Sequence, residues 1–191
     1  MKTIKPLVFD QNVIRPRTLG TKDLFSDKPE IAIYKLRRIA KDDGAGDISV
    51  DVMGCNFRCA HCWVSNSLLG ADVKAPDVQK KLSSLPGPLK NKVPVDANDL
   101  ADYALKRLAG FENKKLSGVS LTGGETLPYR GAIKTIAERL KKEGHYLNVD
   151  TTGFLIAQDE NYLDAFDGLQ DTLHFYVSIK ALSPEKFEQF T

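Results

Sequence analysis

The chain has 191 residues, 42% apolar and 27% charged, with a formal net charge of +2. Those proportions describe an ordinary globular domain large enough for one core, and so small a charge argues against a nucleic-acid-binding face. No run approaches the roughly 18 apolar residues that cross a bilayer, and MKTIKPLVFD lacks the apolar stretch of a secretory signal.

Residues 1–46 read as an N-terminal extension, broken by Pro6, Pro16 and Pro29 and ending in Asp42-Asp43-Gly44-Ala45-Gly46. One helix is expected there, Ile31 to Ala40, with Ile31, Leu36 and Ile39 on a shared face. From Asp47, Ile48, Val50 and Val52 alternate with polar residues, which predicts a first strand ending at Gly54. Pro76, Pro86, Pro88 and Pro94 then argue against long regular structure over 72–95. Lys74, Lys80, Lys81, Lys90 and Lys92 of that segment read as a solvated loop.

Asp96 is a suitable N-cap for a helix carrying Leu100, Ala104 and Leu108 on one stripe and stopping at Gly110. A second strand is predicted over Leu116–Thr122. A second helix runs from Arg130 to Glu143, with Ile133, Ile136, Ala137 and Leu140 inward. A third strand covers Tyr146–Asp150, and a short helix Asn161–Phe166. Leu173–Ile179 is nearly continuously apolar, which predicts a fourth strand buried on both faces. Ser183-Pro184-Glu185 looks like the start of a last helix.

Alternation of strand and helix implies parallel strands with helical crossovers and ligands at the strand C-termini. The chemically loaded residues fall at those ends. All three cysteines lie in Cys55-Asn-Phe-Arg-Cys59-Ala-His-Cys62-Trp63, which reads as reduced thiols in a cytoplasmic protein rather than a disulfide framework. Thiolates suit iron–sulfur clusters and zinc. The short C-x3-C-x2-C loop can wrap three corners of a cubane and leave one iron open. A Cys3His zinc site using His61, and three buried thiols without metal, are the alternatives.

That spacing, after a first strand, resembles the signature of the radical S-adenosylmethionine (SAM) superfamily. The resemblance covers Asp47 to the end, so residues 47–191 are expected to form the core, a partial (β/α) barrel of α/β class, truncated at its C-terminal side. It implies a [4Fe–4S] cluster on Cys55, Cys59 and Cys62, with SAM on the open iron. Reductive cleavage would then yield a 5′-deoxyadenosyl radical that takes hydrogen from a substrate.

His61, just before the third cysteine, stands where the family touches adenine. Gly123-Gly124-Glu125 is similar to the family's Gly-Gly-Glu segment, which accepts hydrogen bonds from SAM's amino group, although Thr126 replaces the usual proline. Thr151 and Thr152 would bond the ribose or methionine carboxylate. Ser178-Ile-Lys180 is similar to an Asp-x-Lys element of the pyruvate formate-lyase-activating-enzyme branch, with only the lysine matching. A tight turn, a Thr/Gly turn and an exposed lysine are the plainer readings of these three segments. Expected partners are an electron donor such as flavodoxin or ferredoxin, and either a glycyl-radical protein or a small molecule as substrate. An electron-transfer iron–sulfur module and a zinc-stabilised interaction domain are the competing functions.

Overall fold

The computed structural model describes residues 26–179 except 56, 58, 60, 61 and 160. The elements in chain order are β1 (Glu30–Ile31), β2 (Ile33–Ala40), β3 (Gly46–Val52), α1 (Asn66–Leu69), α2 (Pro76–Ser83), β4 (Val95–Asp96), α3 (Ala97–Leu108), β5 (Gly118–Gly123), α4 (Arg130–Lys142), β6 (Tyr146–Thr151), α5 (Phe154–Gln158) and β7 (Leu173–Val177). Five strands form one sheet in the order β2-β3-β5-β6-β7. β2 is antiparallel to β3, and the other pairs are parallel. Helices connect the parallel strands, as crossovers require. This is a mixed α/β fold corresponding to part of a (β/α) barrel.

Strand periodicity sorts the side chains. Ile48, Val50, Val119, Leu121, Leu147 and Val149 are buried with Leu100, Leu108, Ile133, Ile136 and Leu140 of α3 and α4 in one apolar cluster. The intervening residues therefore point to the other face of the sheet. They are polar, and the register aligns Arg37, Ser49, Ser120, Asn148 and His174 in one row across all five strands.

α3 begins as its sequence demands: the Asp96 side chain accepts from the Asn98 N–H at 2.7 Å. In α2, Pro76 occupies the first turn and starts the helix rather than preventing one. Lys80 and Lys81 thus belong to a helix, and Lys92 pairs with Asp99 at 2.8 Å.

Two sequence expectations need correction. Ile31–Ala40 is not a helix: Ile33–Ala40 is a strand, with Leu36 opposite Val50 and Ile39 opposite Asp47. Ile31, Leu36 and Ile39, spaced five and three apart, could share a helical face, but pairing with β3 satisfies the backbone across the sheet instead. The sheet thus takes in residues ahead of Asp47. The fourth strand is not buried on both faces either. β7 is the sheet's edge among the described residues, and Tyr176 and Val177 are exposed. Only Leu173 and Phe175 pack against the helical side. The predicted helix from Ser183 lies outside the described residues.

Candidate functional site

β3 ends at Val52, and Gly54, at φ +84°, turns the chain into the cysteine segment. Backbone bonds from Gly54 N to Leu68 O (2.9 Å) and Cys55 N to Leu69 O (3.0 Å) fasten the segment to α1. Phe57 is buried and meets the Phe154 ring edge-on at 5.7 Å. The three thiols are graded in exposure: Cys55 and Cys59 are half-buried, whereas Cys62 is exposed. Burial pushes the Cys55 thiol up to about 11, partly offset by the Phe57 N–H, which donates to its sulfur at 3.4 Å. Such an N–H also stabilises a thiolate bound to iron.

Among the described residues no three His, Cys, Asp or Glu side chains converge on one point as a single metal ion would need. A cubane does not ask for that convergence, because each thiolate binds a different iron. The loop of three soft donors therefore fits such a cluster. His61 lies outside the described residues, as does Lys180.

The β5 end is pressed against the root of the cysteine segment. Gly124 N donates to Val52 O at 3.0 Å, and Glu125 N to Gly54 O at 2.8 Å. A Cβ on Gly124 would sit 2.0 Å from Gly54 O, and Gly123 has φ +105°. Both positions thus require glycine, and the close approach they permit is to the chain itself.

Glu125 is buried and turned toward the β6 end. Its Oε1 accepts from Thr151 Oγ1 (2.5 Å), Thr126 N (3.1 Å) and Leu127 N (3.3 Å). Its Oε2 accepts from Thr152 Oγ1 (2.6 Å) and Thr152 N (3.0 Å). The Thr126 hydroxyl adds a bond to Asp150 O at 2.8 Å. Ser178, just past β7, donates its N–H to Thr151 O at 2.8 Å. The structure therefore brings Cys55, Gly123, Gly124, Glu125, Thr151, Thr152 and Ser178 to one rim, at the C-terminal ends of four parallel strands. Trp63, beside the last cysteine, is 70% exposed and lies outside the core.

Sequence reading missed the groups just beneath this rim. Arg37 donates to Ser49 Oγ and Asp51 Oδ1, each at 3.0 Å. Asp51 is fully buried, and among the described residues its Oδ2 and the Tyr34 hydroxyl have no hydrogen-bond partner. Burial raises the Asp51 carboxyl above its ordinary value, against the pull of Arg37. The signal was present in the alternation Asp47, Ser49, Asp51, but with β2 read as a helix nothing placed Arg37 opposite Ser49. Tyr129, whose hydroxyl donates to Met53 O at 2.7 Å, is a second missed buttress.

On the polar face, Asn148 Nδ2 reaches Ser120 Oγ at 3.5 Å, and His174 Nδ1 lies 3.4 Å from Asn148 Oδ1. These contacts are long and leave further hydrogen-bonding capacity on all three side chains. No helix among the described residues is long and apolar enough to cross a membrane.

Comparison with known proteins agrees with this geometry. No curated protein matches the sequence. The family model for the radical SAM superfamily matches residues 50–191, spanning the cysteine segment and all four strand ends. That superfamily uses a [4Fe–4S] cluster and S-adenosylmethionine, and a loop of three thiols suits the first. The match covers well over half of the chain, and the chain belongs to the radical SAM superfamily.

Proposed function

We propose that the protein is an enzyme that cleaves SAM reductively, with Cys55, Cys59 and Cys62 as the cluster ligands. The observation that carries this reading is the joining of the cysteine segment, the Gly123–Glu125 turn and the Thr151–Thr152 turn into one hydrogen-bonded rim. Cys55, Cys59 and Cys62 would hold the cluster, which would supply the single electron needed for reductive cleavage of the SAM sulfonium and so for radical hydrogen abstraction from a substrate.

The chain's own contribution is placement. The cysteine segment is pinned at Cys55 by α1 and at Phe57 by α5, which fixes the start of the loop that would carry the cluster. Gly123 and Gly124 let the backbone of β5 lie against Val52 and Gly54 at the root of that segment. The substrate is a polar molecule, because the face below the rim offers Ser120, Asn148 and His174 in register, with Asp150 and Tyr176 one step nearer the rim. The reductant is a small electron carrier of the flavodoxin or ferredoxin kind, and the compartment is the cytoplasm. The finer kinship with activating enzymes of glycyl-radical proteins rests on Lys180 alone, because Ser178 stands where that branch has aspartate.

The test is anaerobic reconstitution followed by iron and sulfide analysis and EPR with and without SAM. The expected result is a four-iron cluster whose spectrum changes on adding SAM, with 5′-deoxyadenosine formed under a strong reductant. One zinc per chain, or a cluster indifferent to SAM, overturns the proposal.

A further inference from the structure

Glu125 is 1% exposed, and its carboxylate is already fully engaged. An ionised carboxylate has about four lone-pair sites, yet five donors from the β5 and β6 turns converge on it. The bonds bridge the two turns: two donors follow Glu125 directly in the chain, and three come from Thr151 and Thr152. Its backbone N–H, meanwhile, is held by Gly54, the residue before Cys55. One side chain thus ties together three of the loops that build the rim.

The threonines are committed in turn. Thr151 Oγ1 donates to Glu125 and accepts from Gly153 N at 3.0 Å, and Thr152 Oγ1 donates to Glu125 and accepts from Phe154 N at 3.4 Å. A hydroxyl has one hydrogen and two lone pairs, so each retains one lone pair and no donor. A cofactor ammonium arriving at the carboxylate would compete with five donors already in place. A cofactor carboxylate arriving at either threonine would find no hydroxyl proton to accept.

We infer that Glu125 is a positioning residue that clamps the β5 and β6 turns together and does not itself contact SAM. This rests on the rim being the SAM site, as proposed above. Thr151 and Thr152 are the other half of the clamp.

The test compares SAM with an analogue lacking the α-amino group, titrated against the cluster EPR signal of the anaerobically reconstituted protein. E125Q places an NH2 donor against hydroxyl and amide donors, so it opens the clamp as E125A does. Both variants are expected to weaken the two ligands by the same factor, on the order of tenfold, as is usual for groups that orient others. T151V and T152A, which each remove one hydroxyl and disturb the fold less, weaken both ligands equally and by less.

Hydrogen exchange without ligand supplies a second readout. Amide exchange at Thr126, Leu127 and Thr152 is expected to quicken in E125Q while that in α3 stays as in the parent. The inference is overturned if E125Q weakens SAM and leaves the analogue unchanged, for then the carboxylate meets the amino group directly. It is equally overturned if exchange at those three amides is unaltered. If the unsubstituted protein binds neither ligand, the SAM reading itself has failed, and the exchange rates still decide whether the clamp exists.

Discussion

Gly124→Ala is the sharpest test of how the rim is built. The added Cβ would lie 2.0 Å from Gly54 O, 2.9 Å from Gly54 C and 3.3 Å from Val52 O. All three are backbone atoms, so no side chain can swing away. Relief requires the β5 turn to lift off the root of the cysteine segment. That movement stretches or breaks Gly124 N to Val52 O and Glu125 N to Gly54 O. Overpacking of this kind costs about 1–3 kcal/mol, and two backbone bonds at about 1 kcal/mol each bring the sum to roughly 4 kcal/mol. For a domain of this size that lowers Tm by about 8–15 °C. Gly144→Ala is the control: its φ is +75° but nothing lies within 4 Å of its Cβ, so only the conformational cost of about 1 kcal/mol applies. Thermal and urea unfolding of the two variants measure the contrast. If Gly124→Ala melts within a few degrees of Gly144→Ala, the rim is not packed as described.

Other outcomes are equally specific. Tyr129→Phe leaves Met53 O without its buried donor and should cost about 1–2 kcal/mol in urea unfolding. Because burial raises the Asp51 pKa, the folded protein holds that proton more tightly than the unfolded chain. Stability should therefore fall as pH rises from about 4 through the folded value, and Asp51→Asn should flatten that part of the urea-midpoint profile. In cluster-free protein, iodoacetamide should label exposed Cys62 well before Cys55, whose raised pKa leaves little thiolate at neutral pH; mass spectrometry of the digested protein reads the order. Replacing Ser120, Asn148 and His174 together by alanine should leave the cluster and its SAM-dependent EPR change intact while weakening productive substrate turnover.

Much of the architecture was legible because it repeats at fixed periods. The strands β3, β5 and β6 and the helices α3 and α4 show themselves by alternation or by an apolar stripe, and Asp96 marks its helix start by chemistry alone. Ile31–Ala40 was misread because Ile31, Leu36 and Ile39 do not alternate at period 2 and so looked helical, and only the distant partner Gly46–Val52 makes Ile33–Ala40 a strand. β7 was misjudged because an apolar strand reads the same in the middle of a sheet or at its rim. Within the site, the strand-end positions of the cysteines, the glycine pair and the threonines could be read directly. What those residues do to one another could not. Glu125 and Thr151 stand 26 positions apart, and no local pattern announces that a carboxylate will be consumed by hydroxyls from the next strand.

The two margins of the sheet have opposite characters. At one, an antiparallel strand bearing Lys35, Arg37 and Arg38 presents long charged side chains, a common deterrent to further pairing. At the other, a parallel strand leaves its main chain unclaimed among the described residues and sets Tyr176, Val177 and Ile179 in solvent. Among the described residues, the Leu173–Val177 margin is therefore the less guarded against a further strand. A strand added beside Leu173–Val177 would lengthen the wall next to Ser178 rather than the wall behind the cysteines.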